Sequence, residues 1–202
     1  MKLVRYLGYA RDIFVVGCLT GQRYSDYTRI GRDMIVTIEG SEYFSLRQQK
    51  TGKKVLIPKD ARVAEILDRY NGRLPMVSKL TYSRHIKLLA ELMGWTHTPE
   101  FDRQKPCRHQ RRFCDMVTTH TCRRSFATNA YASGVPLSSI MAVTGHSSEK
   151  NLRRYLKLQA EDKAVIAARD FDGFILMVPP QSEGENTHMP PNQTNRQWPL
   201  SL

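Results

Sequence analysis

The chain has 202 residues, 41% of them apolar, which is typical of one domain with a substantial core. Its 31 Lys and Arg residues exceed its 19 Asp and Glu residues, and the net charge of +12 favours a polyanionic partner, either nucleic acid or an acidic membrane surface. No apolar run approaches the roughly 18 residues of a membrane span, and the first residues lack the apolar core of a signal peptide. The sequence therefore predicts a cytoplasmic protein that does not insert into a membrane.

The first two predicted elements place a basic and an acidic side chain close together. Apolar residues recur near the helical period through residues 3–19, and Gly21 follows as a stop signal, which predicts a long amphipathic helix. A second, shorter helix begins at Arg23. Asp26 lies one turn later, so the two side chains can meet on one face.

Three short β-rich runs follow, at residues 34–39, 42–49 and 53–57. Tight turns separate them, which predicts a three-stranded antiparallel meander. Lys50 stands at the second turn, where a long cationic side chain can leave the sheet and reach a ligand.

The remaining pattern is mainly helical. Helices are predicted at residues 58–71, 78–93, 123–133, 137–143, 149–158 and 161–170, and the second of these is expected to direct Leu80, Ile86, Leu89 and Met93 inward. The fold class predicted is α+β, mainly α-helical, with a small three-stranded antiparallel sheet near the N-terminal half. Residues 1–178 form the predicted domain, and residues 179–202, rich in Pro, Gln, Asn and Ser, are predicted to be a disordered tail.

The segment 96–115 departs from regular patterning and contains a basic cluster. Arg108, Arg111 and Arg112 in this cluster, together with Arg124 on the next helix, are candidate contacts to a DNA phosphate backbone, although such runs also form solvated faces. Cys107, His109, Cys114 and His120 are zinc-ligand types. They lack the paired cysteine spacing of a zinc site, so neither a metal nor another cofactor is predicted.

Two later motifs concentrate side chains suited to phosphoryl transfer. One reads His120-Thr121-Cys122-Arg123, and the other, Gly145-His146-Ser147-Ser148, is followed by Tyr155 nine residues after the histidine. Together with the arginine motif at residues 20–26 and the lysine turn at 49–52, they resemble the catalytic boxes of the tyrosine recombinases, or phage-type integrases. The pattern looks most like integrases of Bacteroidetes mobile elements.

This resemblance implies a site-specific recombinase catalytic domain that cleaves and rejoins double-stranded DNA through a 3′-phosphotyrosine intermediate, without metal or ATP. Arg23 and Arg123 would clamp the scissile phosphate, because a guanidinium fork matches two oxygens of the charged transition state. Tyr155 would be the nucleophile. An unperturbed phenol has a pKa of roughly 10, so His120 would act as its base.

The other implied roles complete the site. Lys50 would act as general acid and protonate the departing 5′ oxygen. His146 would donate a hydrogen bond to a phosphate oxygen, and Asp26 would hold the cations in place. The family resemblance further implies self-association into a tetramer on DNA.

Several alternatives stay open at this point. Tyr155 could be an ordinary core residue; Tyr24, Tyr27 and Tyr131 are rival nucleophiles, and Lys53 or Lys54 could replace Lys50. A type IB topoisomerase-like enzyme would use the same chemistry without strand exchange. A non-catalytic DNA-binding module could share the fold.

Two expectations concern the ends of the chain. In the family, an N-terminal helical domain grips the other face of the duplex, and this sequence starts at the first helix of the catalytic domain, so that domain is expected to be absent. The apolar segment 161–178 is expected either to dock on a neighbouring protomer or to pack on its own domain.

Overall fold

The computed structural model describes residues 2–98, 111–156 and 163–168. The helices are α1 (Lys2–Thr20), α2 (Tyr24–Tyr27), α3 (Ala61–Arg69), α4 (Lys79–Leu92), α5 (Phe113–Met116), α6 (Thr119–Ala132), α7 (Leu137–Thr144) and α8 (Glu149–Arg153). The strands are β1 (Ile35–Ile38), β2 (Ser41–Arg47) and β3 (Lys54–Pro58). These elements belong to one compact unit, Met1–Lys157, whereas residues 163–168 are helical and belong to a second unit, Leu158–Leu202.

The sheet is the predicted antiparallel meander, with β2 in the centre. Phe44 of β2 faces Ile35 of β1 and Ile57 of β3 in the register of the two strand pairs. Alternate residues of β2, Phe44 and Leu46, are buried, and their neighbours are more exposed, as the period of two requires. This inward face continues past the end of the strand to Gln48, which is also buried.

Helix α1 is the centre of the main core. Ala10, Ile13 and Val16 lie on one face at helical spacing and are almost fully buried. The helix contacts α3, α4 and α6, so it joins α3 and α4 to the helix that begins with the His120 motif. A second, smaller core of Ala127, Ile140 and Leu152 packs α6, α7 and α8 together.

Side-chain caps fix the starts of the helices that matter for the site. The Thr118 hydroxyl accepts from the backbone N–H of His120, and Thr118 and Thr121 form a reciprocal capping box at the start of α6. Ser148 caps α8 by accepting from the N–H of Asn151. These caps determine where α6 and α8 begin, and therefore the direction in which their first residues point.

The inward face of α4 differs from the expectation. Leu80 and Met93, which were predicted to point inward, are 63% and 68% exposed. The buried residues are Tyr82, Ile86 and Ala90, and Tyr82 shares a buried hydrogen bond with the hydroxyl of Tyr27 at 3.0 Å. An offset of two residues turns a side chain to nearly the opposite side of a helix, so anchoring the helix by Tyr82 exposes Leu80.

Other predicted bounds also change. Helix α8 ends at Arg153, so Tyr155 lies in the turn after the helix instead of within it. The boundary at residue 178, the tail 179–202 and most of the segment 161–178 lie outside the described residues, and their predictions stay predictions. Among the helices described, none has both the length and the hydropathy needed to cross a membrane.

Two glycines of α1 give a matched test of packing between α1 and α6. A Cβ added to Gly17 would lie 2.9 Å from Cβ of Cys122 and 3.0 Å from the Tyr27 ring, whereas one added to Gly8 meets nothing within 4 Å. We predict that Gly17→Ala lowers the free energy of unfolding by about 1–3 kcal/mol because it overpacks the core. Gly8→Ala should raise it by about 0.5–1 kcal/mol, since alanine is the better helix former.

Urea unfolding of the two variants and the wild-type protein measures both effects. Equal changes in the two variants would contradict the close approach of α1 to Cys122.

Candidate active site

Arg123 is the most deeply buried cation of the part of the chain that the structure describes, with 1% of its surface exposed. Its Nη1 donates to the carbonyl oxygen of Gly21 at 2.8 Å, and its Nη2 donates to the carbonyl oxygen of Thr144 at 2.8 Å. The guanidinium therefore ties the end of α1 and the end of α7 to α6. Its Nε–H has no partner among the described residues, and a buried donor without a partner calls for a functional explanation.

Two glycines let the backbone reach this guanidinium. Gly21 has φ +64, and an added Cβ would lie 2.3 Å from the Phe126 ring. Gly145, the C-cap of α7, has φ +74, and an added Cβ would lie 2.4 Å from Oε1 of Gln48. Both positions combine a left-handed backbone with close contact, so only glycine fits either one.

The charge of Arg123 is maintained in spite of its burial. Burial and, to a smaller extent, the nearby charge of Arg23 lower its pKa to about 10, while Tyr155 and Asp26 act in the opposite direction. This value is well above neutral pH, so the buried group stays a cation. A buried cation with unused donors is suited to hold an anion.

His146 lies against Arg123 and Tyr155. Nη2 of Arg123 is 3.3 Å from Nδ1 and 3.2 Å from Nε2 of the imidazole, and the ring centroids of His146 and Tyr155 are 5.0 Å apart. Burial lowers the pKa of His146 to about 4, with further contributions from Arg123, Arg23 and Lys53. The imidazole is therefore neutral at neutral pH in the free protein.

Tyr155 is positioned by its ring and by the small core below it. Its ring lies 5.7 Å from Cζ of Arg123, which is within the range of a cation–π contact. Leu152, one turn earlier, is fully buried between α6 and α7 and anchors the short helix α8. The phenol is half-buried, so it packs against the arginine and the histidine without being sealed into the core.

His120 lies in the first turn of α6 and is exposed. Partial burial lowers its pKa, and the charges of Arg124, Arg123, Arg23 and Lys79 lower it further. Positive charge at the start of a helix acts in the same direction. The imidazole is therefore neutral at neutral pH and able to accept a proton.

A pair of buried amides connects the sheet to the rest of the site. Oε1 of Gln48 accepts from Nη1 of Arg23 at 3.3 Å and from the hydroxyl of Thr51 at 2.8 Å. Its Nε2 donates to Oε1 of Gln22 and to the carbonyl oxygen of Thr144, each at 2.8 Å. All the hydrogen-bonding capacity of the Gln48 amide is used, so this side chain fixes the lysine turn relative to Arg23 and α7.

Asp26 holds the same turn from the other side. Its Oδ1 accepts from the backbone N–H of Gln49 at 2.8 Å and from Nη2 of Arg29 at 3.1 Å. The carboxylate is fully buried and pairs with Arg29, and not with Arg23 as the helical spacing suggested. Its charge nevertheless raises the pKa of Arg123 and so stabilises the buried cation.

The lysines of the turn are both exposed. Lys50 lies at the tip, between β2 and β3, and Lys53 lies just before β3. The charge of Lys53 is one of those that lower the pKa of His146, which places Lys53 within electrostatic reach of the site. Both lysines therefore remain candidates for the general acid.

The match to a family model decides the class of protein. The model described as the phage integrase family matches residues 9–162, which is most of the chain. The chain belongs to the phage integrase family. Its mainly helical structure with a three-stranded antiparallel sheet is the fold of a tyrosine recombinase catalytic domain.

Solved structures agree with this fold. The catalytic domain of bacteriophage HP1 integrase has a TM-score of 0.53 at 17% identity, with 88% of this chain and 91% of that chain covered. XerH recombinase in a post-cleavage complex with a palindromic difH substrate has a TM-score of 0.57 at 15% identity, covering 84% of this chain and 51% of that one. A lambda integrase fragment bound to a COC′ core site has a TM-score of 0.52 at 19% identity, with 75% of this chain and 53% of that chain covered.

Coverage is uneven across these relatives. This chain spans about half the length of the XerH structures it resembles, 52% and 51%. No curated protein sequence matches it at a significant level.

The arginines predicted to contact DNA differ in exposure and in ion pairing. Arg124 and Arg111 are exposed, whereas Arg112 forms ion pairs with Glu91 and Asp115. Arg108 lies outside the described residues, as do Cys107 and His109 of the rejected zinc site. Within the described residues, no group of three or more His, Cys, Asp or Glu side chains is arranged to hold a metal ion.

Sequence reasoning missed the polar residues that hold the integrase site together. Gln48 could have been found, because it occupies a position where the alternation of Phe44 and Leu46 calls for another apolar residue. Thr144 and Gln22 give no comparable signal, since their partners are distant in the sequence. The carbonyl oxygen of Thr144 accepts from Arg123 and Gln48, and the Gln22 amide donates to the carbonyl oxygen of Val143.

The lowered pKa of His146 predicts an acid-sensitive fold. The unfolded imidazole has a pKa near 6.5, so between about pH 6.5 and about pH 4 the unfolded chain binds more protons than the folded one. Its contribution to the free energy of unfolding should therefore be constant above this window and fall as the pH falls through it. His146→Gln should lose less stability than wild type between about pH 7.5 and about pH 4.5.

Urea unfolding at both pH values measures this difference. The difference in free energy of unfolding between the two proteins at about pH 7.5 gives the effect of the substitution itself, and it is subtracted from the difference at about pH 4.5. Equal losses in the two proteins would contradict the electrostatic setting of His146.

Proposed function

We propose that this chain is the catalytic domain of a site-specific DNA recombinase that forms a covalent phosphotyrosine intermediate. The observation that carries the proposal is the mutual contact of Arg123, His146 and Tyr155 around a buried guanidinium with unused donors. Family membership and the net charge of +12 support it. The XerH and lambda integrase structures are recombinases in complex with DNA, which supports double-stranded DNA as the partner here.

The two arginines would hold the phosphate as it becomes five-coordinate. Attack adds negative charge to the non-bridging oxygens, and the donors of Arg123 left over after its bonds to Gly21 and Thr144 would face that charge. Arg23 is held by Gln48 close enough to lower the pKa of Arg123. Binding a phosphate between the two would relieve this repulsion.

Two proton transfers would accompany strand cleavage. The Tyr155 oxygen bonds to phosphorus as its proton passes to neutral His120, and the bond from phosphorus to the 5′ oxygen breaks. Lys50 would give its proton to that leaving oxygen. The phosphate remains esterified to the tyrosine, so a 5′ hydroxyl can reverse the step without ATP or a metal ion.

Two other functions use the same fold. A type IB topoisomerase-like enzyme would form the same adduct and relax supercoils at many sequences, and a DNA-binding module would form no adduct. Incubation with a nicked suicide substrate, which traps the cleaved state, distinguishes the module from both enzymes. Assembly into a tetramer on DNA is part of the proposal and would be measured by sedimentation of the bound complex.

The first prediction from this function concerns the nucleophile. Tyr155→Phe removes only the phenolic oxygen and should abolish the covalent protein–DNA band while leaving affinity for the duplex nearly unchanged. The band is measured on a denaturing gel after incubation with the suicide substrate.

Tyr131→Phe is the matched control, because Tyr131 packs in the same small core on α6. It should form the adduct as wild type does. An adduct that persists in Tyr155→Phe would refute the assignment.

The second prediction concerns the general acid. Lys50→Ala should slow cleavage of an ordinary substrate by roughly 10²–10⁴-fold, the usual contribution of a proton donor. A substrate with sulfur at the 5′ bridging position leaves as a thiolate without a proton, so it should restore cleavage to Lys50→Ala.

Lys53→Ala provides the comparison, since Lys53 is exposed in the same connection between strands. If the sulfur substrate rescues Lys53→Ala and not Lys50→Ala, the acid is Lys53.

A further inference from the structure

The hydroxyl of Thr144 lies between two groups that could each bond to it. Thr144 is fully buried at the last position of α7, two residues before His146. Its Oγ1 is 2.6 Å from the carbonyl oxygen of Ile140 and 2.8 Å from Nδ1 of His146. A hydroxyl has a single proton, so it can donate to only one of them.

The shorter contact decides where that proton goes. Two oxygen atoms 2.6 Å apart repel each other unless a hydrogen lies between them, and the carbonyl oxygen of Ile140 has none to give. The hydroxyl therefore donates to Ile140 and accepts from Nδ1 of His146. The neutral imidazole then carries its proton on Nδ1, and Nε2 has a free lone pair.

Arg123 does not occupy that lone pair. Its Nη2 is almost equally far from Nδ1 and Nε2, at 3.3 Å and 3.2 Å. A donor in the ring plane at equal distances from both nitrogens would collide with the ring carbons, so Nη2 lies over the ring face. The lone pair of Nε2 lies in the ring plane and stays available on that edge.

We propose that Thr144 is a positioning residue that fixes His146 as the Nδ1–H tautomer and presents Nε2 to the scissile phosphate. The tautomer is a property of the free protein, whereas its consequence for cleavage rests on the proposed function. Because neutral Nε2 has no proton, His146 can donate to a phosphate oxygen only after it gains a second proton. Phosphate binding and proton uptake at His146 are therefore linked.

The groups around His146 set the direction of this linkage. Burial and the charges of Arg123, Arg23 and Lys53 keep the imidazole neutral before DNA binds. The ring of Tyr155 also contacts the imidazole. A bound phosphate adds a negative charge beside the same cations. It offsets their repulsion of a proton on Nε2 and raises the pKa of His146.

Nitrogen-15 NMR of the full chain without DNA tests the tautomer directly. Long-range proton–nitrogen correlations distinguish Nδ1–H from Nε2–H, and the His146→Gln spectrum assigns the signals. We expect Nδ1–H in the wild-type protein and in Thr144→Ser, and a shift towards Nε2–H in Thr144→Val, which is isosteric and lacks the acceptor. Nε2–H in the wild-type protein overturns the proposal, and this spectrum decides even if Thr144→Val does not fold.

Single-turnover cleavage tests the positioning role. Thr144→Val removes the acceptor that orients the imidazole and that partners Nδ1–H when His146 is protonated against the phosphate. It should therefore cleave the suicide substrate roughly three- to tenfold more slowly, corresponding to one lost hydrogen bond, with unchanged affinity for DNA. Thr144→Ser should restore the rate. A tautomer shift in Thr144→Val without a change in the cleavage rate overturns the role in positioning.

Thr20→Val is the matched control. Thr20 is equally buried at the end of α1, and its hydroxyl donates to the carbonyl oxygen of Val16 at 2.7 Å in the same one-turn geometry. This variant loses a bond of the same kind and should change neither the His146 tautomer nor the cleavage rate. If the wild-type chain cleaves no substrate, the proposed function fails, and the NMR spectra still decide the tautomer.

Discussion

The guanidinium of Arg123 has to be held in a buried position mainly by backbone carbonyl oxygens. Burying a charge is costly unless polar groups replace its water, and here the oxygens of Gly21 and Thr144 do so. Each oxygen stands at the end of a different helix, and α1 and α7 must both end where they do for the cation to be stabilised. The arrangement of α1, α6 and α7 and the electrostatics of the site therefore depend on the same two hydrogen bonds.

The sheet is connected to this centre by buried polar side chains. Gln48 extends the inward face of β2 and bonds with Gln22, Thr144 and Arg23, while Asp26 fixes the next residue of the turn through its backbone N–H. A fully satisfied amide network is directional, unlike an apolar contact, because a displaced partner leaves a buried group without its bond. The turn that carries the two candidate lysines is thus tied to the arginines, although the lysines themselves are exposed.

The parts of the fold that follow from periodicity were predictable. The apolar spacing of α1 and the three short β-rich runs fix their elements locally, and the order of Arg23, His120, Arg123, His146 and Tyr155 identified the family to which the chain belongs. What could not be predicted depends on long-range contacts. The inward face of α4 is set by the bond between Tyr82 and Tyr27, and the carbonyl oxygen of Thr144 accepts from Gln48 and Arg123, which only the fold brings to it.

The left-handed glycines at positions 21 and 145 have a consequence for engineering. The oxygens that locate the buried cation belong to Gly21 and to the residue before Gly145, so the position of the charge is set by the path of the main chain. Transferring the ionisable side chains alone to another scaffold would not reproduce the site, since the recipient would lack the two loops that stabilise the arginine. The smallest transferable unit comprises those loops and the α6 segment between them, and a designer would have to preserve backbone geometry before choosing any side chain.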